Sequence, residues 1–336
     1  MNTTVKKEKE KSVSKLVWCA KSISVLSVII AHSVFSGIQN DWTLMLINRI
    51  GAMGVPVFLM LSAYYYKPKK YGSVWELLKS KKALFFPWIF LGSACYLWSD
   101  LRMGKAIGVL KLLQFLLGYN SFLYFMLVLI LLQIVFYIFR FINIKVLTIV
   151  CIVISIISIE LSAFGITDMA ISSIGLTNYL NVFNWIGFYA IGLYLQTKPD
   201  DELIDLLKRY SVWSIFLWVI LFFAGYYFEP TKYGYFSVLG PFMEFASAIV
   251  VLRIAWIICH CNWIVKLGKY SFAIYLIHIN VVPVVYKFLG GSIIGELISP
   301  LCTYLITFVL IKITCTVLKR IKMERAAKYL LGVRIE

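Results

Sequence analysis

Ten apolar runs, most of them long enough to cross a lipid bilayer, constrain the fold of this chain more than any other feature. They lie near residues 16–37, 49–66, 83–99, 120–139, 146–164, 180–196, 211–228, 235–257, 270–289 and 296–318. A helix of about 20 apolar residues spans the hydrocarbon of a bilayer, and within that hydrocarbon a backbone has to satisfy its own hydrogen bonds. The expected fold is therefore an all-α polytopic membrane bundle of about ten transmembrane helices. Only 15% of the residues are charged, against about 25% in a soluble domain, so no sizeable soluble module is expected beside it. The spans make residues 16–318 one membrane domain, flanked by a basic N-terminal segment (1–15) and a basic tail (319–336). The first span keeps Lys21 and His32 and is followed by no small-residue cleavage pattern, so it reads as a retained helix rather than a leader.

The distribution of Lys and Arg gives the orientation. With both termini in the cytoplasm, 24 of the 33 basic residues fall on the inner side and six on the outer side, the remainder lying within spans. The reverse placement would violate the positive-inside rule. The net charge of +17 is explained by this bias. The basic residues punctuate apolar segments instead of forming a stripe with interleaved aromatics, so no nucleic-acid partner is expected. The seven cysteines fall mostly in apolar runs, and Cys259-His260-Cys261 lacks zinc-ligand spacing, so no metal is expected. The longest inner loop, 67–82, concentrates six lysines. On the outer side, 101–118 reads as an amphipathic surface helix.

Ionisable residues inside the spans are the candidate functional groups, because each costs free energy unless it lines a wet cavity or finds a partner. Lys21 and His32 are eleven residues apart in the first span. Eleven steps of about 100° return to the same helix face, about 16 Å along the axis. Lys21 then sits near the inner surface, and His32 lies in the outer half. A histidine titrates near neutrality and suits proton transfer. His278, about eight residues into the ninth span, and Glu244, a lone carboxyl centred in the eighth, are further candidates for substrate or proton handling. An intramembrane His and Glu would equally serve a transporter or flippase moving a glycan intermediate without chemistry.

Four motifs in order give the chain a resemblance to a known family. A basic residue precedes a histidine by eleven positions (Lys21, His32). The second span reads Gly54-Val55-Pro56-Val57-Phe58 and then Ser62. Lys79, Lys81 and Lys82 precede a helix opening near Pro87-Trp88, and the ninth span carries Ser271, Tyr275-Leu276 and His278. This pattern resembles the membrane-embedded acyltransferase 3 family, whose members acylate sugars using cytoplasmic acyl-CoA. The chain departs from it at three places: Lys21 stands where Arg is usual, Trp18 where an acid is common, and Tyr124-Phe125 where Trp-Phe is found. The resemblance implies a cell-membrane O-acyltransferase that uses acetyl-CoA or another acyl-CoA as co-substrate. Its acceptor would be a hydroxyl of a cell-envelope or capsular polysaccharide or its lipid-linked precursor. His32 would be the catalytic residue, as general base or as carrier of the acyl group, and Lys21, Lys79, Lys81 and Lys82 would hold the CoA phosphates.

Overall fold

Helices account for every apolar run, as a chain in hydrocarbon requires. A computed structural model describes residues 3–105, 107–119, 121–167, 177–229 and 234–333. Lys232, one of the six basic residues counted on the outer side, lies outside the described residues. Eight helices among those described are long and apolar enough to span a membrane. The two other expected spans are present as shorter apolar helices, Tyr124–Ile138 and Ile186–Gln196. The protein is an all-α polytopic membrane protein.

The chain divides into two compact units. The first comprises residues 1–31, 40–66 and 141–269. It holds α1 (Thr3–His32) up to Ala31, α2 (Asp41–Ala52), α3 (Gly54–Tyr64), α8 (Ile144–Ala163), α9 (Ile186–Gln196), α10 (Asp200–Phe228), α11 (Gly240–Ile258) and α12 (Asn262–Lys269). The second comprises residues 32–39, 67–140 and 270–336. It holds α4 (Val74–Ser80), α5 (Lys82–Arg102), α6 (Val109–Leu116), α7 (Tyr124–Ile138), α13 (Ser271–Leu289) and α14 (Ile293–Arg320). Helix α1 is unbroken from Lys21 to His32 and ends on that histidine.

In the first unit, the second span is two helices because of its motif. Pro56 has no N–H to bond the carbonyl of Ala52, and its ring crowds that carbonyl, so the helix breaks at Met53. The hydroxyl of Ser27 reaches across from α1 to the carbonyls of Ile50 (2.5 Å) and Gly51 (3.0 Å), which face the break. Gly54 lets α3 approach α1 at backbone distance, since a Cβ there would stand 2.5 Å from the carbonyl oxygen of Ser24. The Gly-x-Pro run is thus the hinge that seats α3 on α1.

The 67–82 segment of the second unit is more structured than a loop of lysines suggests. Ser73 accepts the Glu76 N–H (3.1 Å) and Glu76 accepts the Gly72 N–H (2.8 Å), so the two residues cap the start of α4. The hydroxyl of Tyr137 on α7 donates to the carbonyl of Gly72 (2.8 Å). The expected surface helix at 101–118 is shorter, α6, with Val109, Leu110 and Leu113 exposed on it. The tail does not run free. Residues Ala327–Leu331 form a helical turn on α5, with the Tyr329 ring 5.7 Å from that of Phe86.

Replacing Gly54 by alanine should overpack the α1–α3 contact and cost about 1–3 kcal/mol. A lower melting temperature of the purified protein in nanodiscs would register it; an unchanged one would show that the two helices separate easily.

Candidate active site

The second unit brings two histidines together. Its ring pair is His32, at the end of α1, and His278, on α13, with centroids 5.3 Å apart and ring planes tilted by 45°. Their register is set from both sides. Helix α13 starts at Ser271, so His278 falls two turns in and is fully buried. Phe122, in the turn before α7, packs edge-on against both rings, 6.3 Å from His32 and 5.5 Å from His278. Tyr275, one turn before His278, donates its hydroxyl to the carbonyl of Phe122 and stacks edge-on against that ring at 5.6 Å. This bond explains why the ninth-span motif pairs a tyrosine with the histidine three residues on: the tyrosine ties α13 to the turn that walls the site.

His278 is held in one tautomer. Its Nδ1 lies 2.6 Å from the carbonyl of Tyr275. A carbonyl only accepts, so Nδ1 carries a proton. Its Nε2 is buried with no hydrogen-bond partner in the protein. A buried polar atom without a partner is costly, and here it borders His32, which is partly accessible. The Phe122 and Tyr275 rings that pack against the pair lower the polarity beside it and strengthen any hydrogen bond made there.

The segment that follows His32 is held by Glu296, on the first turn of α14 and fully buried. The Gly37 N–H donates to both of its carboxylate oxygens (3.0 and 2.9 Å), and the Ser36 hydroxyl donates to Oε1 (3.0 Å). The Ser36 and Tyr286 hydroxyls are hydrogen-bonded at 2.6 Å.

The remaining sequence-derived candidates are distributed. Lys79 and Lys81 lie in the second unit around α4, with Nζ 5.1 Å over the Trp75 ring and 5.9 Å over the Tyr71 ring respectively. Lys82 opens α5 and is exposed. Partial burial pulls the Lys81 ammonium below its ordinary pKa, and Tyr71 opposes that shift. Lys21 belongs to the first unit, its Nζ 4.6 Å over the Trp18 ring and 5.8 Å over the Tyr65 ring. Glu244 is also in the first unit, 2% exposed, and is not the lone carboxyl that its sequence surroundings suggest. It interacts electrostatically with Arg49, a guanidinium 1% exposed. Arg49 donates to the Gly234 carbonyl (2.7 Å) and the Ser237 hydroxyl (3.1 Å). One carboxylate oxygen of Glu244, Oε2, keeps no hydrogen-bond partner in the protein.

A family model described as an acyltransferase domain, that of acyltransferase 3, matches residues 19–320, nearly the whole chain. The chain belongs to the acyltransferase 3 family. It is accordingly a membrane acyltransferase. No significant match was found among curated proteins or among solved structures.

The sequence offered His32, His278, Lys21, Lys79, Lys81, Lys82 and Glu244 as candidates; it did not point to Phe122 or Glu296 beside the histidine pair, nor to a buried Arg49 near Glu244. Phe122 is one aromatic among 24 phenylalanines and carries no local signal. Glu296 stands at the boundary of the last apolar run, where an acid reads as interfacial. Arg49 likewise stands at the boundary assigned to the second span, although α2 begins eight residues earlier, at Asp41.

The tautomer is directly testable, because the chain has only three histidines. ¹⁵N NMR of histidine-labelled protein should show a proton on Nδ1 of His278 at neutral pH; a bare Nδ1 there would contradict the hydrogen bond to Tyr275.

Proposed function

We propose that this acyltransferase moves an acetyl or related acyl group from acyl-CoA to a hydroxyl of a cell-envelope or capsular polysaccharide, or of its lipid-linked precursor. The observation that carries the reading is the imidazole pair, a partly accessible His32 beside a His278 whose Nε2 has no partner in the protein. His32 accepts the proton of the attacking hydroxyl as its oxygen bonds the thioester carbonyl carbon, and the carbon–sulfur bond breaks to release CoA. The proton passes to the departing thiolate. In the covalent variant of the same scheme, His32 takes the acyl group first and then yields it to the hydroxyl. The partnerless Nε2 of His278 is suited to accept a hydrogen bond from substrate. Glu244, with its own partnerless oxygen, is the other candidate for substrate or proton handling.

CoA is a polyanion, and Lys21, Lys79, Lys81 and Lys82 are the cations proposed to compensate its phosphates. The basic bias of these segments supports a cytoplasmic donor side, with both termini in the cytoplasm of a cell membrane. No metal enters the scheme.

The decisive experiment follows the O-acyl signals of the host's surface glycan by proton NMR in cells lacking the gene. Wild type should restore them, and His32→Ala at matched membrane levels should not. A glycan that stays fully acylated in the deletion would overturn the acceptor assignment. Separately, a triple Lys79→Ala, Lys81→Ala, Lys82→Ala variant should raise KM for acyl-CoA roughly tenfold at low salt. Its kcat should hold, and the defect should shrink as ionic strength rises. Equal affinity at low salt would remove these lysines from donor binding.

A further inference from the structure

We propose that Glu296 is a positioning residue for His32, acting through the segment that leaves the end of α1; the proposal rests on His32 being the reacting group. His32 is the last residue of its helix, so nothing of α1 itself continues past the imidazole to hold it. The chain turns immediately, and Ser36 and Gly37 come to rest on the carboxylate of Glu296, some 260 residues later in the sequence. Both carboxylate oxygens are used, and each hydrogen bond to a charged acceptor is stronger than a neutral one.

Three features separate this contact from an ordinary loop staple. First, the carboxylate is fully buried, and a charge in that position is retained only where its hydrogen bonds are made. Second, the approach is close. A Cβ on residue 37 would stand 3.3 Å from Oε2 and 3.4 Å from Cδ of Glu296, so the carboxylate would have to give by a few tenths of an ångström. Third, α14 and α13 are packed together, and α13 carries His278. The clamp therefore references the end of α1 to the same helix pair that holds the second imidazole. Shifting it changes the His32–His278 separation, which is 5.3 Å between centroids, and displacements on the order of 1 Å at a reacting group cost up to about 100-fold in rate.

Glu296→Gln keeps the shape and loses one acceptor oxygen. Gly37→Ala attacks the contact from the other side, and Ser36→Ala removes a single hydrogen bond and serves as the mild variant. Purified proteins in nanodiscs would be compared in two measurements. In ¹³C,¹⁵N-histidine spectra, Glu296→Gln and Gly37→Ala should shift or broaden the His32 resonances, with a smaller change at His278. His260, exposed and in the other unit, should stay put. In turnover of acetyl-CoA with the host's glycan fraction, read as free CoA by chromatography, kcat should fall roughly 10- to 100-fold, while KM for acetyl-CoA stays within about twofold. Ser36→Ala should move both readouts in the same direction by less.

His32 resonances unchanged in Glu296→Gln and Gly37→Ala would overturn the positioning role, whatever the activity. Shifts of equal size at His32 and His260 would overturn it too, because they report a general loss of structure. If Glu296→Gln does not fold, Ser36→Ala alone decides by the same two criteria. A wild-type protein that releases no CoA, with the His32 shift still present, would instead sink the proposed reaction and leave the clamp standing.

Discussion

Hydrocarbon offers no hydrogen-bond partners, and the architecture is organised around that one deficit. Backbone groups are satisfied by making every span a helix. Where a span must break, as α2 and α3 do at Met53, a side chain takes over: the Ser27 hydroxyl reaches the carbonyls of Ile50 and Gly51. Serines and threonines within the helices are turned back on their own backbone, as Ser24 is to Ala20 and Thr307 to Thr303. Against such thorough internal satisfaction, a buried polar atom with no partner in the protein carries information. His278 Nε2 and Glu244 Oε2 are among several such atoms in the described residues, and these two belong to residues whose type suits proton transfer or substrate contact.

The spans were legible because lipid imposes a single rule on composition over 20 residues, and no packing detail can reverse it. Their ends were less so. Helix α2 starts at Asp41, well before the apolar run that marks it, because Arg49 reads as a boundary in sequence and is buried in the fold. The guanidinium is tolerated there through Gly234, Ser237 and the field of Glu244, none of which is near it in sequence. Helix α10 likewise begins at Asp200, and its acidic first turn favours a helix N-terminus. In both cases the polar residues that look like linker are the first turns of a helix that later enters the apolar run.

The paired histidines were legible as candidates from type and depth, since an imidazole inside a span needs a reason. Their surroundings were not. Phe122, Tyr275 and Glu296 act through contacts made across long stretches of sequence, and a pattern confined to one segment cannot register them. The ninth-span motif contains Tyr275 without saying why. Only the hydroxyl's bond to the Phe122 carbonyl shows that the tyrosine ties α13 to the turn whose phenylalanine packs against both histidines.

The departure at Trp18 also acquires a physical meaning. Where relatives place an acid one turn before the basic residue, this chain places an indole, and the Lys21 ammonium sits 4.6 Å over its ring with Tyr65 at 5.8 Å. A carboxylate would hold the cation by neutralising it. An aromatic face attracts an ammonium through its quadrupole and leaves the full positive charge in place. Arginine would grip a phosphate in two-point fashion, and lysine gives that up. In the proposed role of Lys21 at the phosphates of the acyl donor, the two departures would offset each other: the weaker grip of a lysine would be matched by the absence of a competing anion at Trp18.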